Sequence, residues 1–109
     1  MRYDFDDLVI GAGQSGPFLA VKLAGRGRRV ALVEKRRLGG TCVNDGCIPT
    51  KTLVASARAA WVVRNAARWG VEVGGDVRVD FRAVRARKDA IVAESVQSLE
   101  AWIGGTDRL

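Results

Sequence analysis

The sequence contains no histidine, only two cysteines, only two prolines and few aromatic residues. Without histidine, this chain cannot by itself build a Ser-His-Asp or Cys-His relay or hold a haem through His. Two cysteines do not complete a four-ligand zinc site of Cys and His. Acid–base chemistry near neutral pH would therefore need a perturbed carboxylate, thiol or lysine, or a histidine from elsewhere.

Long apolar runs are also missing. The longest stretch without charge, residues 8–21, contains three glycines and Pro17 and is too short to cross a bilayer. Residues 1–7 are acidic rather than basic, so they do not read as a secretory or transit peptide. We therefore expect a cytoplasmic protein without a membrane partner. In that compartment a cysteine pair is more often catalytic, redox-active or metal-binding than structural.

The charge balance is positive but uninformative about partners. The 109 residues include 18 Lys and Arg and 12 Asp and Glu, for a net charge of +6. Positive charge is one mark of nucleic-acid binding. However, the densest basic run, residues 82–88, has no interleaved aromatic residues on which bases could stack. We expect no nucleic-acid partner, and the 48% of hydrophobic residues supplies the core of one small domain.

The apolar pattern predicts an α/β fold. Residues 8–10 and 30–33 are short apolar runs without polar alternation, as in strands buried on both faces. A helix over about residues 15–24 lies between them, with Pro17 in its first turn, where the missing N–H costs nothing. Two such strands joined by one helix form a right-handed βαβ unit with a parallel sheet.

Two longer helices are predicted after this unit. An Ala-rich helix covers about residues 50–69, with an apolar side around Leu53, Val54 and Trp61 that we expect to pack in the core. Residues 71–73 form a turn or a short edge strand. The last helix follows Asp80 as its N-cap and continues to about Ile103.

Gly11, Gly13 and Gly16 form the pattern G-x-G-x-x-G directly after the first strand and at the start of the first helix. The first glycine permits a tight turn, the second lets the backbone approach a diphosphate, and the third allows helix and strand to pack closely. The diphosphate would accept hydrogen bonds from backbone N–H groups near Gln14, Ser15 and Gly16, at the positive end of the helix dipole.

Glu34 ends the second strand, where a carboxylate can accept from both hydroxyls of a ribose. Its charge disfavours a 2′-phosphate on the bound adenosine, and the basic residues 35–37 are more simply a solvated loop. The alternative is an ordinary strand–helix turn followed by a solvated glutamate. The pattern indicates a Rossmann-like dinucleotide-binding unit and does not by itself separate NAD from FAD.

Cys42 and Cys47 lie within residues 39–51, which are rich in glycine and other turn-forming residues. Residues five apart on a regular helix point about 140° apart. A bridge between these cysteines therefore needs a distorted turn, which Asn44 and Gly46 can provide because both tolerate a positive φ.

Pro49 suits the first turn of the helix that follows, whose positive end favours the thiolate form of nearby cysteines. Lys51 adds a positive charge on a similar face, and Asp45 opposes it if it lies close. One alternative is that both cysteines are small buried apolar residues. The other is a metal site, in which two cysteines would supply only half of the ligands. The flanking residues favour a redox disulfide, and we predict no metal site.

The stretch G-G-T-C-V-N-D-G-C-I-P-T-K at residues 39–51, preceded by the glycine pattern and Glu34, resembles the class I pyridine nucleotide–disulfide oxidoreductases. These flavoenzymes include dihydrolipoyl dehydrogenase, mercuric reductase and glutathione reductase. The resemblance extends over the whole chain in the order of its elements. The sequence of residues 43–58 resembles the mercuric reductase-like and dihydrolipoyl dehydrogenase-like branch more than glutathione reductase.

The resemblance implies a path for electrons. They would run from NAD(P)H to FAD, then to the Cys42–Cys47 disulfide, and then to a dithiol/disulfide or metal-ion substrate, or in reverse. Cys47 would lie beside the flavin, and Cys42 would exchange with the substrate. The implied FAD contacts are Gly11, Gly13, Ser15 and Gly16 at the pyrophosphate, Glu34 at the adenine ribose, Gly40 and Thr41 at the phosphate and ribityl region, and Lys51 near the flavin ring.

The resemblance also implies that more is needed than residues 1–109. We expect this stretch to be the N-terminal part of an FAD-binding domain, without the NAD(P) domain and the dimerisation domain of such homodimers. The latter supplies a His–Glu pair that acts on the interchange thiol. We expect the chain alone to bind FAD weakly or not at all and to turn over no substrate. The alternative is a non-catalytic nucleotide-binding module completed by another chain.

Overall fold

The fold was obtained as a computed structural model that describes residues 4–109. It contains two strands, four α-helices and one 3₁₀-helix, whose order confirms the predicted α/β arrangement. A short helix not predicted from the sequence separates the second strand from the Ala-rich helix. The elements are β1 (Asp7–Ile10), α1 (Gly16–Ala24), β2 (Val30–Val33), α2 (Gly40–Asn44), α3 (Cys47–Arg64), a 3₁₀-helix (Ala66–Trp69) and α4 (Phe81–Gly104).

The predicted βαβ unit is present. β1 and β2 pair in parallel, from Asp7 opposite Val30 to Ile10 opposite Val33. α1 covers one face of this sheet, and Val9, Ala20, Ala24 and Val30 form the buried core. Small alanines on the helix allow it to lie close to the valines of the strands.

The opposite face of the sheet is exposed, which corrects the expectation of strands buried on both faces. Neighbouring residues of a strand point to opposite faces, so Leu8 and Ile10 lie on the face away from α1. Their exposed fractions are 62% and 81%. No element within residues 4–109 covers this face, so the apolar pattern of the strands exceeds the burial that the described chain provides.

The long helices form an extension rather than part of a compact core. α3 and α4 pack side by side, and the molecule measures 73 × 24 × 18 Å. Its radius of gyration is 20.5 Å, against about 13 Å for a compact domain of this size. The predicted burial of Leu53, Val54 and Trp61 is wrong, because 37%, 59% and 41% of these residues is exposed. A single partner helix covers only one stripe of α3.

The local capping signal correctly predicts where α4 begins. Asp80 caps α4 as predicted, since its side chain accepts hydrogen bonds from the backbone N–H groups of Arg82 (2.9 Å) and Ala83 (3.1 Å). The predicted Ala-rich helix at about residues 50–69 differs at both ends, because α3 begins at Cys47 and ends at Arg64, and a separate 3₁₀-helix follows. Residues 71–73 form neither helix nor strand. No helix in the described part of the chain is long and apolar enough to cross a membrane.

Two ion pairs join the start of β1 to the residues before β2. Arg28 binds Asp7 through both Nε and Nη2, and Arg29 Nη2 lies 3.1 Å from the Asp6 carboxylate. The side-chain hydrogen bonds from these arginines lower the pKa of Asp7 and of Asp6. Both carboxylates are thereby stabilised in their charged form when the chain is folded.

A lowered pKa in the folded state predicts acid sensitivity. The stabilisation is complete above the ordinary carboxyl pKa of 3.8 and is lost as the pH falls through the lowered values. We expect the melting temperature, followed by circular dichroism, to fall less steeply with acidification in the D6N/D7N variant than in the wild type. The control is D76N, because Asp76 makes no ion pair with any residue in 4–109. Equal slopes in all three proteins would contradict the prediction.

Candidate functional site

The first glycine loop lies between β1 and α1, and close backbone contacts shape it. Gly11 has a φ of +100°, and its N–H donates to the carbonyl of Val33 (2.7 Å) at the end of β2. A Cβ atom on Gly16 would lie 1.8 Å from the carbonyl oxygen of Gly11. The close approach predicted at Gly16 is therefore present, although the contact is with the turn rather than with the strand itself.

The N-terminus of α1 is available to an anion. Ser15 is its N-cap residue, yet its side chain makes no capping hydrogen bond, so no side chain from this position satisfies the N–H groups of the first turn. A Cβ atom on Gly13 would meet nothing within 4 Å. Gln14 and Ser15 are exposed. The loop thus leaves open space beside a helix N-terminus, which suits a diphosphate.

Glu34 connects the end of β2 to this loop. Its carboxylate accepts from the backbone N–H of Ala12 through Oε2 (2.8 Å) and from that of Arg36 through Oε1 (2.8 Å). These hydrogen bonds, that of Ala12 first, lower the pKa of Glu34 below its ordinary value of 4.5 because they stabilise the charged form. The carboxylate is ionised and oriented at neutral pH, and each oxygen retains a lone pair for a further donor.

A second glycine loop rests on the first. The N–H of Gly39 donates to the carbonyl of Ala12 (2.8 Å), and a Cβ atom on Gly40 would lie 2.9 Å from the Cα of Gly13. Both glycines have positive φ, +91° and +60°, which other residues rarely adopt. A cavity of about 170 Å³ opens beside this contact, lined by Glu34, Arg36, Arg37, Gly40, Thr41 and Asp45.

The two cysteines form a disulfide that joins α2 to the first residue of α3, with their Cα atoms 4.6 Å apart. The predicted pairing is confirmed, but the predicted mechanism of the turn is wrong. Gly46 has a φ of −122°, and within residues 4–109 the single non-glycine residue with positive φ is Arg108. Space is instead limited at Gly46, because a Cβ atom there would lie 3.1 Å from the carbonyl oxygen of Thr41.

Asn44 has a role that the sequence did not reveal. Its side-chain Nδ2 donates to the carbonyls of Leu38 (2.9 Å) and Gly40 (2.9 Å), so it fastens the disulfide turn to the second glycine loop. Both acceptors are close in sequence. This interaction depends on α2, which has only five residues and is too short to show the apolar repeat by which a helix is predicted from sequence.

A second cavity places the disulfide beside the first glycine loop. Its volume is about 360 Å³, and its lining includes Gln14 together with Cys42, Cys47 and Lys51. Cys47 is exposed and Cys42 is half-buried. Ile91 of α4 also lines this cavity, a contribution that only the packing of α4 reveals. The residues that line it are Gln14, Cys42, Cys47, Ile48, Lys51, Thr52 and Ile91.

The candidate residues therefore fall into two adjoining groups. Glu34, Gly40 and Thr41 line the smaller cavity, and Gln14, Lys51 and the disulfide line the larger one. The remaining glycines and Ser15 form the loop and helix start against which both groups are built. The arrangement can hold a nucleotide at one end and carry out thiol–disulfide chemistry at the other.

Comparison with known proteins identifies the family of this chain. Residues 5–103 match the family model described as pyridine nucleotide-disulphide oxidoreductase. The chain belongs to this family. The resemblance stated from residues 39–51 is thereby confirmed, as is the Rossmann-type assignment of the βαβ unit.

The similar proteins are several times longer than this chain. It is 44% identical over 103 residues to a dihydrolipoyl dehydrogenase of Chlamydia muridarum (strain MoPn / Nigg), and 41% identical over 93 residues to one of Bacillus subtilis (strain 168). These matches cover 94% and 84% of this chain but 22% and 20% of the relatives. The chain thus spans about a fifth of their length.

A solved structure extends the comparison to three dimensions. The flavoprotein disulfide reductase RclA from Escherichia coli, determined as a Cu(II) complex, superposes with a TM-score of 0.74 at 33% sequence identity. The match covers 94% of this chain and 20% of that one. The fold of residues 4–109 is therefore like part of a flavoprotein disulfide reductase.

Proposed function

We propose that this chain forms the FAD-binding and redox-disulfide part of a dihydrolipoyl dehydrogenase-like oxidoreductase. In the complete reaction, electrons would pass between NAD(P)H, the flavin, the Cys42–Cys47 disulfide and a small dithiol or disulfide substrate. The observation that carries this proposal is that Gln14, from the nucleotide-type glycine loop, and both cysteines line one cavity. The relatives named dihydrolipoyl dehydrogenase favour a dithiol substrate over a metal ion.

The residues present fit FAD. The uncapped start of α1 and the open space at Gly13 suit its diphosphate, and the oriented carboxylate of Glu34 suits a ribose. Gly40 and Thr41 line the cavity next to Glu34 and would hold the phosphate and ribityl region, with Lys51 near the flavin ring. When bound, the flavin supplies the exchange of electrons between a hydride donor and the disulfide.

The chemistry of this chain is thiol–disulfide exchange. On reduction, the Cys42–Cys47 bond accepts two electrons and two protons and becomes a dithiol. Cys47 is the first residue of the 18-residue helix α3, whose positive end favours its thiolate. The thiolate of Cys42 would attack one sulfur of a substrate disulfide, which breaks the substrate S–S bond and releases the other sulfur as a thiol. The Cys47 thiolate would then attack Cys42, release the second substrate sulfur as a thiol and restore the bridge.

The resemblance assigns exchange with the substrate to Cys42, whereas Cys47 is the more exposed cysteine in this chain. The assignment therefore requires that the flavin cover Cys47. The interpretation as residues 1–109 of a homodimeric cytoplasmic enzyme, with an NAD(P) domain and an acid–base histidine beyond this chain, remains a prediction. We likewise predict that the chain by itself turns over no substrate.

The proposal predicts where a nucleotide binds. We expect titration with ADP to shift the amide NMR signals of residues 11–16, 34 and 39–41, and to leave those of the distal part of α4 unchanged. Glu34→Gln removes the charged acceptor for the ribose hydroxyls, so we expect about a tenfold loss of ADP affinity. NMR is suitable because it detects the weak binding expected of the chain alone.

The matched control is E72Q, because Glu72 lies outside both cavities of the site. It should bind ADP like the wild type, and the unperturbed spectrum of each variant would show that it is folded. Shifts confined to other parts of the chain would contradict the proposed nucleotide site. Equal weakening by E72Q would show that the effect of E34Q is not specific.

A further inference from the structure

An acidic residue lies inside the loop that the disulfide closes. Asp45 follows α2 as its C-cap residue and precedes Cys47 by two positions. Its carboxylate forms an ion pair with Nη2 of Arg37, which belongs to the loop between β2 and α2. The two side chains are about half exposed, at 52% and 55%, and both line the cavity next to Glu34.

This carboxylate matters for the redox pair because of its sign. Reduction of the disulfide gives thiols that ionise, and a negative charge within the same short loop disfavours the thiolate. Lys51, which lines the cavity of the disulfide, acts in the opposite direction. The ion pair with Arg37 adds a positive charge at the carboxylate itself, so the thiols experience a nearly neutral pair instead of a bare anion.

The position of Arg37 is held from two sides. Nδ2 of Asn44 binds the carbonyls of Leu38 and Gly40, which keeps the loop carrying Arg37 against the disulfide turn. The N–H of Gly40 donates to the carbonyl of Arg37 (3.2 Å). Arg26, in the turn after α1, carries the same charge, is exposed and makes no ion pair within residues 4–109.

We propose that Arg37 is a positioning residue for the redox pair, which neutralises Asp45 and thereby keeps the reduced form of Cys42 and Cys47 accessible. The proposal rests on the proposed function in one respect, namely that the disulfide cycles between its oxidised and reduced forms. It goes further in assigning the control of that equilibrium to a residue outside the cysteine turn.

The test is the equilibrium of the disulfide with a small dithiol. The dithiol gives two electrons and two protons to the Cys42–Cys47 bond and becomes a cyclic disulfide, and alkylation followed by mass spectrometry measures the reduced fraction. At about pH 8.5, where thiols ionise, we expect R37Q to shift the equilibrium about threefold toward the disulfide. R26Q should leave it unchanged, because Arg26 lies outside both cavities of the site.

Two further measurements separate an electrostatic from a structural effect. The R37Q shift should shrink in about 1 M salt, where charges more than about 3 Å apart are screened. In a D45N background the R37Q shift should be smaller, because the Asp45 carboxylate no longer holds Arg37 beside the cysteine turn. Melting curves of all variants would show that they are folded.

The outcomes distinguish the two proposals. A wild-type disulfide that cannot be reduced reversibly would overturn the proposed function and this inference with it. A wild type that cycles normally, with R37Q equal to R26Q, would overturn the role of Arg37 alone. A shift that is undiminished both at high salt and in the D45N background would also overturn it, since Arg37 would then not act through its ion pair with Asp45.

Discussion

Gly16→Ala is expected to lower the melting temperature of this protein by about 10 °C or more. The Cβ atom would lie 1.8 Å from the carbonyl oxygen of Gly11 and 3.0 Å from its carbonyl carbon. Both are backbone atoms, so no change of rotamer relieves the overlap. Either α1 must move off the sheet or the Gly11 turn must open, and α1 supplies half of the buried core through Ala20 and Ala24.

Gly13→Ala is the matched control within the same loop. A Cβ atom on Gly13 would meet nothing within 4 Å, so the melting temperature of G13A should stay close to that of the wild type. The added methyl group would instead occupy the space through which a diphosphate approaches, and ADP-induced NMR shifts should weaken. A G16A variant that melts with the wild type would contradict the packing argument. A G13A variant that binds ADP normally would contradict the assignment of the loop.

Replacing either cysteine with serine is expected to abolish reversible two-electron reduction of the chain. A lone thiol cannot form the internal disulfide, so C42S and C47S should consume no dithiol equivalent when titrated, whereas the wild type consumes one. Each variant should also lose about 2 kcal/mol of stability, since a short loop is no longer closed in the unfolded state. Reduced wild-type protein provides the control, because it should show the same loss of stability.

The two serine variants should differ in reactivity. Cys47 is exposed and Cys42 is half-buried, so the thiol that remains in C42S should be alkylated faster than the one in C47S. The position of Cys47 at the start of α3 also favours its thiolate form, which is the form that reacts. Equal rates, or the opposite order, would show that exposure and the helix end do not control these thiols. A C42S/C47S double variant that still consumes dithiol would point to another redox group.

Most of the elements and the family of this protein could be predicted from the amino-acid sequence alone. The strands, the parallel βαβ unit, the Asp80 cap and the position of α1 follow from local patterns, because apolar periodicity and capping act over a few neighbouring residues. The same holds for the cysteine pair, since two cysteines among turn-forming residues have few other uses. The family follows from the spacing of the glycines, Glu34 and the cysteines.

How these parts meet could be learned from the folded chain and not from the local patterns. The hydrogen bond from the Ala12 N–H to the Glu34 carboxylate joins segments more than twenty residues apart. The close contact of Gly40 with Gly13 does the same. The ion pair of Arg37 with Asp45 likewise depends on how two loops fold onto each other. The exposure of Leu53, Val54 and Trp61 shows the same limit, because an apolar stripe specifies that a partner is favourable but not which element covers it. Burial and contact are properties of the packed chain, and no local pattern contains them.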